Sequence, residues 1–213
     1  MRGPGPWRAL LLVPLLWLAA CGLADDERDA ENKHIYIENR FSDPRFREFC
    51  LAHYDLNGDG RVSRYEAQRI LDMDCAGLGI ASLNGIEEFT RLQRLDCSGN
   101  ALASLDLRAC TSLRRLDCSD NELTMLDIGR LAMLATLNCD GNRLPVLLLP
   151  AAGSLVSVSC VGNDLPTLDV SHCALVMDRV DVRGNSRLGV LYVGASQRIS
   201  DLQFDGPTVV ERL

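Results

Sequence analysis

The chain has 213 residues, 47% hydrophobic and 24% charged, which suits one globular domain with a sizeable core. Its formal charge is −7, and loss of Arg2 and Arg8 with an N-terminal leader would take it to −9. So acidic a chain is no nucleic-acid binder, because phosphate contacts need a basic patch. With only 5% aromatics, Leu, Val, Ile and Cys must fill the core.

Residues 1–20 have the three parts of an export signal: a positive start to Arg8, an apolar run from Ala9 to Leu18 broken by Pro14, and small residues at Ala19 and Ala20. The run is shorter than the ~20 residues needed to span a bilayer, which argues against a transmembrane helix. Leu18-Ala19-Ala20-Cys21 resembles a bacterial lipobox, in which Cys21 takes lipid and becomes the new N-terminus. Cleavage elsewhere, for example after Ala24, would release a soluble secreted chain instead. Residues 21–34 read as an acidic tether, since Asp25, Asp26, Glu27, Asp29 and Glu31 leave little to bury. Short acidic runs after a lipid cysteine also resemble surface-export signals of some Gram-negative lipoproteins.

Residues 35–70 read as a helical cap. Ile35-Tyr36-Ile37 is a β-prone run, expected to pair with the edge of the repeat that follows. Asp43-Pro44 is a helix start, with Asp as N-cap and Pro at the first helical position. Phe46, Phe49, Cys50 and His53 recur at helical spacing on one face.

The loop from Asp55 to Glu66 has the spacing of an EF-hand calcium (Ca2+) loop. Asp55, Asn57 and Asp59 are alternate residues whose short oxygen-bearing side chains can converge on one ion. Gly60 sits at the sixth position, where the chain must turn sharply. Arg61 offers its carbonyl, Ser63 acts through a water, and Glu66 supplies a bidentate carboxylate. Hard oxygen ligands in this number suit Ca2+ rather than Zn2+. The competing reading is an Asx-rich turn without metal. Paired EF-hands join through the eighth position, here Val62, and no sister loop exists, so the expected role of the ion is structural.

From residue 71 to 188 the chain repeats. Cys97, Cys118, Cys139 and Cys160 are each 21 residues apart, with Cys75 and Val182 one step outside. Asn100, Asn121, Asn142, Asn163 and Asn185 keep the same step, as do Leu95, Leu116, Leu137, Val158 and Val180. This predicts a leucine-rich solenoid of about six units with parallel strands ~4.8 Å apart, an α/β-type repeat fold carrying an N-terminal helix-loop-helix cap. Leu and Cys point inward, and the Asn column satisfies the turn backbone. The Cys column packs as small hydrophobes, and no zinc-ligand spacing appears. Residues 189–213 break the step and are expected to form a C-terminal cap over the terminal core.

Two outward columns are candidates for function. Arg94, Arg115 and Arg179 should lie beside Asp96, Asp117 and Asp181, as a salt-bridge ladder or a polar binding surface. On the second face, Asp106, Asp127 and Asp169 form a column interrupted by Leu148. With Met125, Val146 and Pro150 around it, Leu148 makes a candidate partner patch.

The chain resembles a family of bacterial exported leucine-rich-repeat lipoproteins. The residues that carry the likeness are Phe46-x-x-Phe49-Cys50 with the Asp55 loop, Leu71-Asp-Met-Asp-Cys75, Ile86-Glu-Glu-Phe89 through Cys97-Ser-Gly-Asn100, and Leu191-Tyr-Val193. It covers roughly residues 35–205 and departs at Cys110 and Cys173, where the family's return turn usually has Asn. The resemblance implies a cell-envelope binding or adhesion module with a protein or glycan ligand. Such a protein would be held at the outer membrane through the Cys21 lipid, with its surface as a further address. An assembly subunit of an envelope complex is the alternative. No catalytic constellation accompanies His34, His53 or His172, so an enzyme is not expected.

Overall fold

The repeat closes into two parallel sheets around one core. The computed structural model describes residues 33–151 and 153–213. The leader, Cys21 and nearly all of the acidic tether lie outside the described residues.

The first sheet has seven parallel strands. They are β1 (Asp72–Asp74), β2 (Arg94–Asp96), β3 (Arg115–Asp117), β4 (Thr136–Asn138), β5 (Ser157–Ser159), β7 (Val176–Asp181) and β9 (Arg198–Gln203), stacked in that order. The register runs Met73, Leu95, Leu116, Leu137, Val158, Val180 and Leu202, one apolar residue per rung. The central residue of each of β1 to β5 is buried while its neighbours face outward. That alternation follows from the two-residue period of a strand. The second sheet carries β6 (Thr167–Asp169), β8 (Val190–Val193) and β10 (Val209–Arg212), and an Asp127–Leu148 bridge prefigures it two rungs earlier.

Each turn between the sheets is fixed by its Asn. Asn142 is typical. Its Oδ1 accepts from the Leu123 N–H at 2.9 Å, and its Nδ2 donates to the carbonyls of Cys118, Cys139 and Asp140 at 3.0–3.1 Å. The same four-bond pattern recurs at Asn121 and Asn163. Buried backbone groups must be paired, and this side chain pairs those of two successive rungs at once. The expected structural role of the Asn column is what the geometry shows.

The residue just before each Asn is left-handed: Gly99 at φ 63°, Gly141 at 61°, Gly162 at 65° and Gly184 at 72°. Asp120 occupies the same place at φ 52°. A Cβ there costs on the order of 1 kcal/mol, even for Asp. Asp120→Gly is therefore expected to raise the melting temperature by roughly 2 °C. A melt showing a fall instead would mean that the Asp120 side chain itself stabilises the turn.

The thiols of Cys75, Cys97, Cys118, Cys139 and Cys160 are buried in a row, and none of the described cysteines is disulfide-bonded. The Sγ atoms of Cys97, Cys118 and Cys139 lie 3.4–3.5 Å from the carbonyl of the next rung. Burial pushes the thiol pKa of all three well up, and that of Cys75 to about 12. Cys110 and Cys173, where the return turn departs from the family pattern, are buried too and also pushed to about 12. Thiolate is the reactive form, so iodoacetamide at pH 8 should leave these cysteines unmodified in the native protein and label them only on unfolding. Native labelling at Cys97, Cys118 or Cys139 would contradict the closed core.

Residues 189–213 add β8, β9 and β10 to the two sheets, with Leu191 and Val193 buried. Two expectations for the cap differ from the structure. His53 lies on the outside of its helix and Tyr54 on the inside. Ile35–Ile37 pairs with the Asp55–Glu66 loop rather than with the solenoid edge, as described next.

Candidate functional site

The cap is built on two helices, α1 (Pro44–Tyr54) and α2 (Arg64–Ala67). Asp43 Oδ1 caps α1 through the N–H groups of Arg45 and Phe46 at 2.8 and 3.1 Å. Its Oδ2 accepts from Ala81 N–H at 2.8 Å, which ties the cap to the first rung. Burial acts to raise the Asp43 pKa, but the Ala81, Phe46 and Arg45 N–H groups together hold it below the ordinary value. Tyr54 meets Phe89 edge-on at 5.6 Å, and the Arg64 guanidinium donates to Glu88 at 2.8 Å. Gly85 is required at this junction, since its φ is 102° and a Cβ would run into the buried Phe41 ring.

Between the helices the loop is a dense hydrogen-bonded turn. Asp55 Oδ1 accepts from the N–H groups of Gly58 and Asp59, and its Oδ2 from Gly60, at 2.8–3.1 Å. Asn57 Oδ1 accepts from Asp59 N–H and Asp59 Oδ1 from Arg61 N–H. Gly58 and Gly60 have φ of 73° and 80°, left-handed positions that a side chain would strain. Glu66 is buried, and each of its oxygens takes two donors. Oε1 accepts from Leu56 and Asn57 N–H at 2.9 and 3.2 Å, Oε2 from Ser63 N–H and Ser63 Oγ at 2.8 and 2.7 Å. Ser63 and Glu66 thus form the capping box of α2.

The loop has a β partner after all. Tyr36 bridges Ser63 antiparallel, with Ile37 N–H donating to Val62 C=O at 2.9 Å and Arg64 N–H to Ile35 C=O at 2.7 Å. Glu38 Oε1 accepts from Val62 N–H, and the Arg61 guanidinium lies 3.5 Å from the Tyr36 ring centroid. The isolated bridge at Tyr36 takes the loop edge that a sister loop would pair with. Its signal in the sequence is the β-prone run ending at Ile37, 25 residues upstream of Val62.

As a metal site, the donor types and spacing fit Ca2+. Their oxygens are turned onto the loop's own N–H groups. Among the described residues no three Asp, Glu, His or Cys side chains are grouped to hold an ion.

The second candidate region is the face of the seven-stranded sheet. The expected Arg–Asp ladder forms only in part. Arg94 reaches back one rung to Asp72 at 2.7 Å, and Arg179 binds Asp181 at 2.7 Å and Asp201 at 3.0 Å. Arg115 joins neither. Asp96 Oδ1 is occupied by the N–H and Oγ of Ser98, Asp117 Oδ1 by those of Ser119, and Asp117 Oδ2 by Asn138 Nδ2. The Asp column therefore serves the turns first. Asp181 is fully buried and shared by Arg179 and Arg183. The Arg183 guanidinium holds its carboxyl below the ordinary value against the effect of burial. A depressed carboxyl stabilises above its unfolded pKa and ceases to as pH falls through the folded one. Asp181→Asn should therefore lower the melting temperature at pH 7 and narrow its deficit from wild type as pH falls below about 4, the ordinary carboxyl value. A deficit independent of pH would contradict the ion pairing.

On the second face, Met125, Val146 and Leu148 are exposed at 70%, 57% and 66%. Pro150 is buried and does not belong to this patch, because the chain has already turned inward there. Met125 overhangs an open hollow of 840 Å³ lined also by Leu83, Ile86, Leu105 and Arg108.

Parallel rungs of 21 residues, an inward Leu and Cys in each and an Asn at each turn define a leucine-rich-repeat solenoid. Residues 90–130 match the family model for leucine-rich repeats in two copies. Among curated proteins, Internalin J of Listeria monocytogenes serotype 4b is 31% identical over 67 residues, which is 32% of this chain and 7% of Internalin J. Among solved structures, the functional domain of Internalin J, described as including a cysteine ladder, aligns with a TM-score of 0.61 and 29% identity. That alignment covers 75% of this chain and 38% of the other, so the chain spans well under half of this relative. Another Listeria internalin, inlF, aligns at a TM-score of 0.52 and 18% identity over 84% of this chain and 57% of its own, a likeness of fold.

Proposed function

We propose that this chain is an exported binding module that presents the face of its seven-stranded sheet to a protein, the kind of ligand an extended repeat surface suits. One observation carries the reading. The outward residues of β2 to β5 form a continuous polar surface (Arg94, Arg115, Thr136 and Ser157 with Asp96, Asp117, Asn138 and Ser159), each exposed or half-buried among the described residues. Cross-linked pull-downs from envelope and host-surface extracts test it, with Ser157→Trp as the control that blocks the middle of the face. A partner captured by wild type and lost on Ser157→Trp, at equal melting temperature, is expected. Equal capture by both proteins, with a glycan or a substrate turned over instead, would overturn it.

The address follows from the first 31 residues. A lipid on Cys21 holds the module at the bacterial outer membrane, and the acidic tether spaces it from the bilayer. Mass spectrometry of the mature N-terminal peptide reads this directly. A diacylated Cys21, absent in Cys21→Ser, is expected, and an unmodified N-terminus beginning elsewhere would refute the anchor.

The cap is assigned one structural Ca2+ ion, held by Asp55, Asn57, Asp59, the Arg61 carbonyl, Ser63 and Glu66. The support is the donor set, the left-handed glycines and the Tyr36–Ser63 bridge beside the loop backbone. An alternative reading, an assembly subunit, rests on the exposed Met125, Val146 and Leu148. Leu148→Asp leaving the size of any complex unchanged would count against it.

A further inference from the structure

We propose that Arg114 and Arg115 are the anion-binding point of the seven-stranded face and that they receive Asp and Glu side chains of an acidic segment of the protein partner. This rests on the binding reading above and adds the chemistry of what is bound.

Five arginines on the solenoid are neutralised by a neighbouring carboxylate. Arg94 is held by Asp72, Arg108 by Asp106, Arg143 by Glu122, and Arg179 and Arg183 by Asp181. Arg114 and Arg115 are both exposed, and among the described residues neither side chain makes a hydrogen bond or an ion pair. In a chain of net charge −7, this is the one place among the described residues where two arginines adjacent in sequence both lack an ion pair. They border one hollow of 340 Å³ with Gln93, Arg94, Ala135 and Thr136.

The neighbouring acids cannot serve them instead. Asp96 and Asp117 hold the turns at Ser98 and Ser119, and Asp117 also holds Asn138. On the following two rungs the equivalent positions are Thr136 and Ser157, which carry no charge. The pair therefore faces a neutral, hydrogen-bonding floor with its donors unspent. A guanidinium offers a planar fork of N–H groups that fits a carboxylate in two parallel bonds. Gln93 and Thr136 are placed to bond the peptide that carries it.

The surroundings select among anions. Asp72, Asp96 and Asp117 lie on the same face, and the whole chain is acidic. A dense string of sulfates or phosphates would meet this field at every step along the groove. Single carboxylates spaced along a peptide meet the two guanidiniums and little else. The observations therefore favour an acidic protein segment over a sulfated glycan.

The test uses the full chain and a fluorescein-labelled peptide of alternating Glu and Gly, read by anisotropy at 50 and 300 mM salt. Arg114→Glu/Arg115→Glu is compared with Arg47→Glu/Arg187→Glu, the same charge change at exposed sites off this face. Binding that weakens with salt, and at least tenfold further on reversal of the Arg114 pair but not of the control pair, is expected. No binding by wild type, equal loss in both variants, or a heparin oligosaccharide bound more tightly with the same arginine dependence would overturn the inference. A captured partner that is lost on Ser157→Trp but kept on reversal of the pair would leave the binding reading standing and remove this one.

Discussion

Asn142→Ala is expected to lower the melting temperature by roughly 10 °C, corresponding to about 3–5 kcal/mol. Truncation strands the Leu123 N–H in a buried turn and takes a donor from three carbonyls. An unsatisfied buried group costs ~1–3 kcal/mol, against a total stability of ~5–15 kcal/mol. The position also lies mid-solenoid, so both neighbouring rungs lose a contact. Asn142→Asp distinguishes hydrogen bonding from shape. It keeps the acceptor for Leu123 but turns a carboxylate toward carbonyls, so it should be at least as damaging at pH 7. Its folded pKa is then raised, so the damage should ease as pH falls and the carboxyl binds a proton. A drop under about 2 °C for the Ala variant would mean that the Asn column fills space rather than pairing the backbone.

Glu66→Ala should be nearly as costly, with a loss of about 3 kcal/mol concentrated in the cap. Four donors depend on this one buried carboxylate, at both the start of the loop and the start of α2. That dependence makes Glu66 a poor residue for testing calcium, since even Glu66→Gln would turn an amide NH2 onto N–H groups. Asp59→Asn is the cleaner variant. It retains the acceptor for Arg61 N–H and changes an exposed carboxylate to an amide. Thermal melts of the full chain across a Ca2+ titration should rise for wild type, and for Asp59→Asn, which keeps the oxygen but loses a charge, should rise only at higher Ca2+. Extracellular modules bind at ~10⁻⁴–10⁻³ M, so a midpoint in that range fits a permanently filled structural ion. A flat wild-type titration beside a severe Glu66→Ala would mean that the loop is a metal-free turn sustained by Glu66 alone.

These two positions also show what the sequence makes legible. Asn142 was readable because its role is set by the 21-residue period, and the period fixes which side chains point inward whatever their detailed contacts. Glu66 was not legible as a capping-box acceptor, because a Glu three places after Ser63 fits both the EF-hand spacing and the capping box. Long-range pairing was the main loss. Nothing local to Ile35–Ile37 says that it will bridge Ser63 rather than the solenoid, since either edge offers the same unpaired groups. The salt-bridge ladder failed at Arg115 for a different reason. Asp-Cys-Ser places a hydroxyl and an N–H two residues after each Asp, and this local partner outcompetes a flexible arginine that must lose side-chain entropy to reach across. Arg114 itself was passed over, though Leu113-Arg-Arg-Leu116 differs visibly from Ala135-Thr136 and Val156-Ser157 at the same place in later repeats.

Site-specific photo-cross-linking in the intact cell envelope tests most directly whether the seven-stranded face is the working surface. A photoreactive side chain would be placed in separate proteins at Ser157 on that face, at Val146 on the second face and at Arg47 on the outside of α1. Irradiation should yield a discrete protein adduct from position 157 and none from 47 or 146. Adducts from 146 alone would move the partner to the Met125–Leu148 patch and contradict binding through the strand face.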